Sequence, residues 1–262
     1  TNTSNTDVTG QGGEVTVDPS PAAEMFVLSS EDSIDVGGER LLQVRLEDSY
    51  GNRLVDSLVT FTRIWGNGYF GSFGTSVRND STNESGVAEA LYTASDTLLY
   101  TRDSIVVSYG SVLDTVVLPL RSNLVSYYTL VPVSDSTIVA GDTIDYVVTA
   151  RDQYGNGVSN SDSVVIRTVG SSSAEVIAAS YRFSGESLSF SVTDTLVGGF
   201  TVRVTNTSNT DVTGQGGEVT VNPSNATDMF VLSSADSIDV GGERLLQVRL
   251  EDSYGNRLSD SL

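Results

Sequence analysis

The chain has no cysteine, no histidine and no lysine among its 262 residues. Each absence closes a route. Without Cys there are no disulfide staples and no thiol nucleophile. Without His and Cys there is no conventional Ser–His–Asp triad and no His/Cys zinc site. Without Lys there is no Schiff-base lysine, no P-loop and no Lys–Asn isopeptide crosslink. Paired carboxylates are the one catalytic option left, but the 34 acidic residues are scattered over turns and need no catalytic account. The sequence reads as a non-enzyme. No apolar run approaches the ~18 residues of a membrane-spanning helix, so no direct membrane insertion is expected in this segment. All 14 basic residues are Arg, and the net charge is −20. Such a surface repels phosphate backbones and anionic lipids, which argues against nucleic acid as a partner.

What is present is repetition. Residues 205–262 repeat residues 1–58 without a gap, and only six positions differ: Asp18/Asn222, Pro21/Asn225, Ala23/Thr227, Glu24/Asp228, Glu31/Ala235 and Val55/Ser259. A weaker repeat lies inside that period. Asp48-Ser-Tyr-Gly-Asn52 returns as Asp152-Gln-Tyr-Gly-Asn156 and again as Asp252-Ser-Tyr-Gly-Asn256. The period therefore holds two related units. Type A is expected over 19–122 and type B over 123–223. Residues 1–18 would be the last strand of a preceding type B unit, and 224–262 the first part of a following type A unit. A chain whose ends fall inside its own repeat is expected to be a segment of a tandem array.

The local pattern is β throughout. In Glu39–Asp48, Leu42, Val44 and Leu46 alternate with Gln43, Arg45 and Glu47, the two-residue period of a strand with one buried face. Type B matches it with Ile144, Tyr146, Val148 and Ala150. Further strands are expected at 25–29, 58–64, 87–93, 104–109 and 114–120 in type A. In type B they are expected at 128–132, 163–169, 175–181, 187–192, 200–206 and 218–221. Val, Ile, Thr, Tyr and Phe fill them, and Gly-rich breaks such as Gly37-Gly38, Gly198-Gly199 and Gly216-Gly217 separate them. No stretch carries a helical period. About seven short strands per hundred residues give an all-β fold, a tandem series of Ig-like β-sandwich domains in an extended array.

The Asp-x-Tyr-Gly-Asn turn leads into Val59-Thr-Phe61, and Asn83-Glu-Ser-Gly86-Val-Ala88 opens a later strand. This set resembles the bacterial Ig-like domains of invasin- and intimin-type surface adhesins, which carry D-x-x-G-N-P-V…V-x-F and a later G-x-A. Arg53 and Gly157 stand where that family has Pro. The resemblance implies a sandwich fold, an extracellular cell-surface location and a role in adhesion.

Two groups of residues are candidate sites. In an Ig-like domain the turn at Asp48 faces the preceding domain, where the linker carries Asp18 and Glu24, or Asp228 in the next copy. Asp18, Glu24, Asp48 and Asn52, and likewise Asp228 and Asp252, would supply oxygen ligands for Ca²⁺ at type B to type A junctions. The competing reading is that each Asp caps its own turn through backbone N–H groups. No cofactor is required on either reading. The second group is Trp65-Gly-Asn-Gly-Tyr69-Phe70-Gly-Ser-Phe73, read as a hairpin with its tip at Asn67-Gly68. Exposed, these aromatics would stack on a cell-surface glycan or a neighbouring filament chain. The competing reading sends alternate residues, Trp65 among them, into the core. The array as a whole reads as a semi-rigid extracellular spacer whose partners are its own neighbouring repeats. A multivalent glycan-binding module and a laterally assembling fibre are the alternatives.

Overall fold

The computed structural model describes residues 13, 17–29, 32–178, 180–233 and 236–259. Apart from Gly13, Val17 and Asp18, the segment 1–18 lies outside the described residues. The chain forms two compact units, 1–121 and 122–262. Every described element is a strand, as the alternation in the sequence requires.

In the first unit the strands are β1 (Ala22–Val27), β2 (Ile34–Asp35), β3 (Glu39–Asp48), β4 (Leu58–Trp65), β5 (Tyr69–Phe70), β6 (Val77–Ser81), β7 (Val87–Thr93), β8 (Arg102–Tyr109) and β9 (Val112–Arg121). They build two sheets, β1-β3-β7-β5 and β2-β9-β8-β4-β6. β2 runs parallel to β9; the other neighbouring strands of these two sheets pair antiparallel. The facing sides carry the apolar half of each alternation: Leu42, Val44 and Leu46 from β3, Val59 and Phe61 from β4, Ile105 and Val107 from β8, all fully buried. Phe61, Phe70 and Tyr92 form the aromatic centre, with Phe70 set edge-on to Tyr92 at 5.0 Å between ring centroids.

The second unit begins with β10 (Tyr127–Pro132), β11 (Thr137–Val139), β12 (Thr143–Arg151), β13 (Val164–Val169), β14 (Glu175–Ile177), β15 (Ser187–Thr193), β16 (Gly198–Asn206), β17 (Thr213–Gln215) and β18 (Val219–Asn222). Its sheets are β10-β12-β15-β14 and β11-β18-β16-β13, with β17 also paired to β16. The predicted inward residues of β12, Ile144, Tyr146, Val148 and Ala150, are all buried. Where type A has one continuous last strand, type B has two short ones, because Gly216-Gly217 interrupts the run. The strand expected over 175–181 stops at Ile177.

The second unit also holds β19 (Ala226–Ser233) and β20 (Leu246–Asp252) of the next type A copy. Their register repeats that of β1 and β3 step for step. Ala226 faces Asp252 as Ala22 faces Asp48, and the register slips between Ala226 and Asp228 as it does between Ala22 and Glu24. The same side chains recur on the outer face. Arg45 lies over the Phe26 ring and pairs with Glu47, as Arg249 lies over Phe230 and pairs with Glu251. Contacts between neighbouring strands therefore suffice to set this pairing.

Candidate functional site

The three copies of the Asp-turn share one geometry. The Asp sits at the end of a strand whose inward residues are buried, and its own side chain follows them in: Asp48, Asp152 and Asp252 are at most 2% exposed. One carboxylate oxygen of Asp48 accepts the N–H groups of Tyr50 and Asn52, at 2.9 and 2.8 Å. The other accepts Asn52 Nδ2 and the Ser20 N–H, both at 2.9 Å. Gly51, at φ 80°, turns the chain back so that its N–H reaches the Asp48 carbonyl. Ordinary side chains disfavour that conformation, which is why glycine stands there.

The fourth donor ties the turn to the segment leading into its own unit. Ser20 N–H meets Asp48, Asn123 N–H meets Asp152 at 3.1 Å, and Ser224 N–H meets Asp252 at 3.0 Å. These donors act on charge. The Asn52 side chain, with three backbone N–H groups, holds the Asp48 carboxyl well below the usual carboxylate range against the cost of burial. Burial opposes ionisation of Asp152 and Asp252, yet the same donors outweigh it and keep both below that range. A carboxylate that accepts several N–H bonds is stabilised as the anion without a counter-ion.

Of the expected calcium ligands, Asp18, Glu24 and Asp228 are exposed, and Asn52 points its Nδ2 group, a donor, at Asp48. Among the described residues, no three acidic side chains converge in a group able to hold a metal.

The aromatic run is not a hairpin. β4 and β5 belong to different sheets, so residues 66–68 cross between them. A buried acid organises the crossing. Asp103, fully buried, accepts the Asn67 N–H at 3.1 Å and the Tyr92 hydroxyl at 2.8 Å. The Gly68 N–H is a further donor to it. Burial pushes its carboxyl up, partly offset by those donors and by Arg63. Burial and the adjacent Asp103 likewise push the Tyr92 phenol up. Gly68 has no room for a side chain: a Cβ would stand 2.3 Å from Tyr92 Oη.

Only Phe70 of the four aromatics enters the core, at 2% exposed. Trp65 is 55% exposed and Phe73 is 83% exposed. The alternation Val59, Phe61 would carry Trp65 inward. A register slip between Arg63 and Trp65, opposite Ile105 and Ser104, breaks it, as a bulge does. Outside, Trp65 meets Tyr100 edge-on at 5.4 Å, and Tyr69 meets Phe73 at the same separation. Tyr100, Tyr92 and Asp103 lie outside both candidate groups read from the sequence. The one available signal was an acid, Asp103, beside the apolar alternation Ile105, Val107.

No protein-family model matches the chain. No curated protein sequence matches it either. Its fold is that of the Ig-like domains of bacterial adhesins. InvD of Yersinia pseudotuberculosis superposes with a TM-score of 0.51 at 17% identity, over 89% of this chain and 72% of that one. The Escherichia coli adhesin FdeC superposes at 0.50 and 15% identity, over 92% and 77%. The bacterial integrin-binding protein invasin gives 0.47 and 17% identity, and the chain spans about half of its length, 49%.

Proposed function

We propose that the chain is a non-catalytic spacer, a length of an extracellular stalk or filament on a bacterial surface. The observation that carries the reading is the linker bond. At each of three repeats the buried Asp of the turn accepts an N–H from the segment leading into that repeat. A linker held at a fixed point of the domain it leads into loses bending freedom, and repetition at 104 and then 100 residues turns that restraint into a property of the array. The adhesin neighbours support a surface location.

Small-angle X-ray scattering from a chain of two full periods tests the reading. A rod, with a cross-section of one sandwich, upholds the spacer. A compact or oligomeric particle overturns it in favour of lateral assembly. Repeating the measurement in millimolar calcium and in chelator tests the ion at the type B to type A junctions: shortening or flexing on chelation would place it there.

A second reading rests on Trp65 and Phe73, two large aromatics left in solvent at one end of the type A sandwich. On that reading, type A units bind a glycan weakly and repeatedly along the array. Quenching or a blue shift of the Trp65 fluorescence on adding oligosaccharides tests it.

A further inference from the structure

The Asn that closes the Asp-turn has a second set of partners inside the second compact unit. Asn256 Nδ2 donates to the Thr195 carbonyl at 2.7 Å, and its Oδ1 accepts the Val197 N–H at 3.0 Å. The carboxamide therefore pairs with the loop between β15 and β16 as one peptide group pairs with another. Its remaining N–H goes to Asp252 at 2.9 Å. The receiving loop is braced beforehand: Asp194, fully buried, accepts the Leu196 N–H at 3.0 Å and the Ser173 hydroxyl. The Asp194 carbonyl also takes the Gly141 N–H at 2.8 Å.

Tyr254 completes the seat. Its hydroxyl lies over Gly141, where a Cβ would come within 2.2 Å of it. Asn256 is 6% exposed as a result. Asn52 stands at the same place in an identical turn, makes the same bonds to Asp48, and is exposed. The difference lies in what the turn meets, not in how it is built.

We propose that this turn is the plug of an inter-repeat joint: the Asn carboxamide and the Tyr ring dock on the 194–197 loop and the Gly141 turn of the preceding type B repeat. The joint closes with protein hydrogen bonds alone. All the oxygen positions of Asp252 are already taken by N–H donors, from Ser224, Tyr254 and, twice, Asn256. No lone pair is left facing a cation. The inference rests on the array reading and adds the partner surface at type B to type A junctions.

Residue-resolved amide hydrogen exchange on the 262-residue chain tests it. The Val197 N–H is expected to be protected, and Asn256→Ala to speed its exchange by about tenfold or more, the loss of one well-made hydrogen bond in a partly buried site. Asn52→Ala makes the same change in the other copy and should leave Val197 unchanged. Amides of the β19–β20 ladder report whether the hairpin survives. If Asn256→Ala melts it, Tyr254→Ala, which spares every hydrogen bond of the turn, should still speed Val197. Equal Val197 exchange in the native chain and in both variants would overturn the joint. Protection that disappears in chelator would overturn its independence of metal. A rod in scattering with an unprotected Val197 would sink the joint and leave the spacer standing.

Discussion

Replacing Tyr92 by Phe removes one oxygen from the centre of the type A sandwich and leaves everything else in place. The ring keeps its edge contact with Phe70. Asp103, fully buried, loses the donor at 2.8 Å and keeps only the backbone N–H groups of Asn67 and Gly68. A buried acceptor stripped of its partner costs about 1–3 kcal/mol, and an ionised one belongs in the upper half of that range. We expect about 2 kcal/mol at neutral pH. With a urea slope of roughly 1–3 kcal/mol per molar, the midpoint should fall by about 1 M. Trp65 is the only Trp and lies in type A, so its fluorescence follows this unit alone. The sign with pH is fixed by the same acid. Burial already raises the Asp103 carboxyl, so its protonated form is tolerated in the folded state, and losing the Tyr92 hydroxyl raises it further. The deficit of Tyr92→Phe should therefore shrink as pH falls toward 4. A midpoint shift under about 0.3 M, or a deficit that grows on acidification, would refute the argument.

The acids of type B run the other way. Asp152 and Asp194 are held below the unfolded value of 3.8, so their contribution is complete above that pH and is lost as pH falls from there through the lower folded values. Calorimetry should show the type B transition dropping on acidification to about pH 3, with the Trp65-reported type A transition falling less because Asp103 gains where Asp48 loses; equal drops would sink this. Gly68→Ala puts a methyl 2.3 Å from Tyr92 Oη and 2.6 Å from the Thr93 carbonyl. It should cost about 2–3 kcal/mol in urea unfolding, and a neutral result would mean the crossing relaxes freely. Phe61→Ala empties a fully buried site and should cost about 3–5 kcal/mol, whereas Trp65→Ala, at a site 55% exposed, should cost under about 1 kcal/mol. Far-ultraviolet circular dichroism can follow the second variant, since it removes the fluorophore.

The sheets were legible because burial imposes a period of two. Leu42-Val44-Leu46 and Ile144-Tyr146-Val148-Ala150 have no other way to share a face, and both strands lie where the alternation put them. The short strands β2, β5, β6, β11 and β17 were not legible. Two to five residues hold too few alternations to show a period, and their places are set by partners distant in sequence, as β2 is by β9. The aromatic run misled for a related reason. Asn67-Gly68 carries a hairpin signal, but Asp103, 36 residues away, captures the Asn67 N–H and turns the chain into the other sheet. At the Asp-turn, sequence showed the cap and hid the linker bond, because Ser20, Asn123 and Ser224 contribute only backbone N–H groups, which any residue but Pro could supply.

The parallel pairs carry a mechanical consequence. In the type A sandwich β2 lies beside β9, with Ile34 opposite Leu120 and Asp35 opposite Arg121, and the Asp35 and Arg121 side chains bond across the pair. In type B the same place is filled by β11 and β18, Thr137 to Thr220 through Val139 to Asn222. One strand of each pair lies near the start of its domain and the other at its end. Tension on the chain drags the two past each other along their length, so their backbone bonds are loaded side by side and give way together instead of opening one at a time. Pulled from its ends, each sandwich meets the load with a short run of parallel bonds, and the time it survives is set by the barrier to that single sliding step.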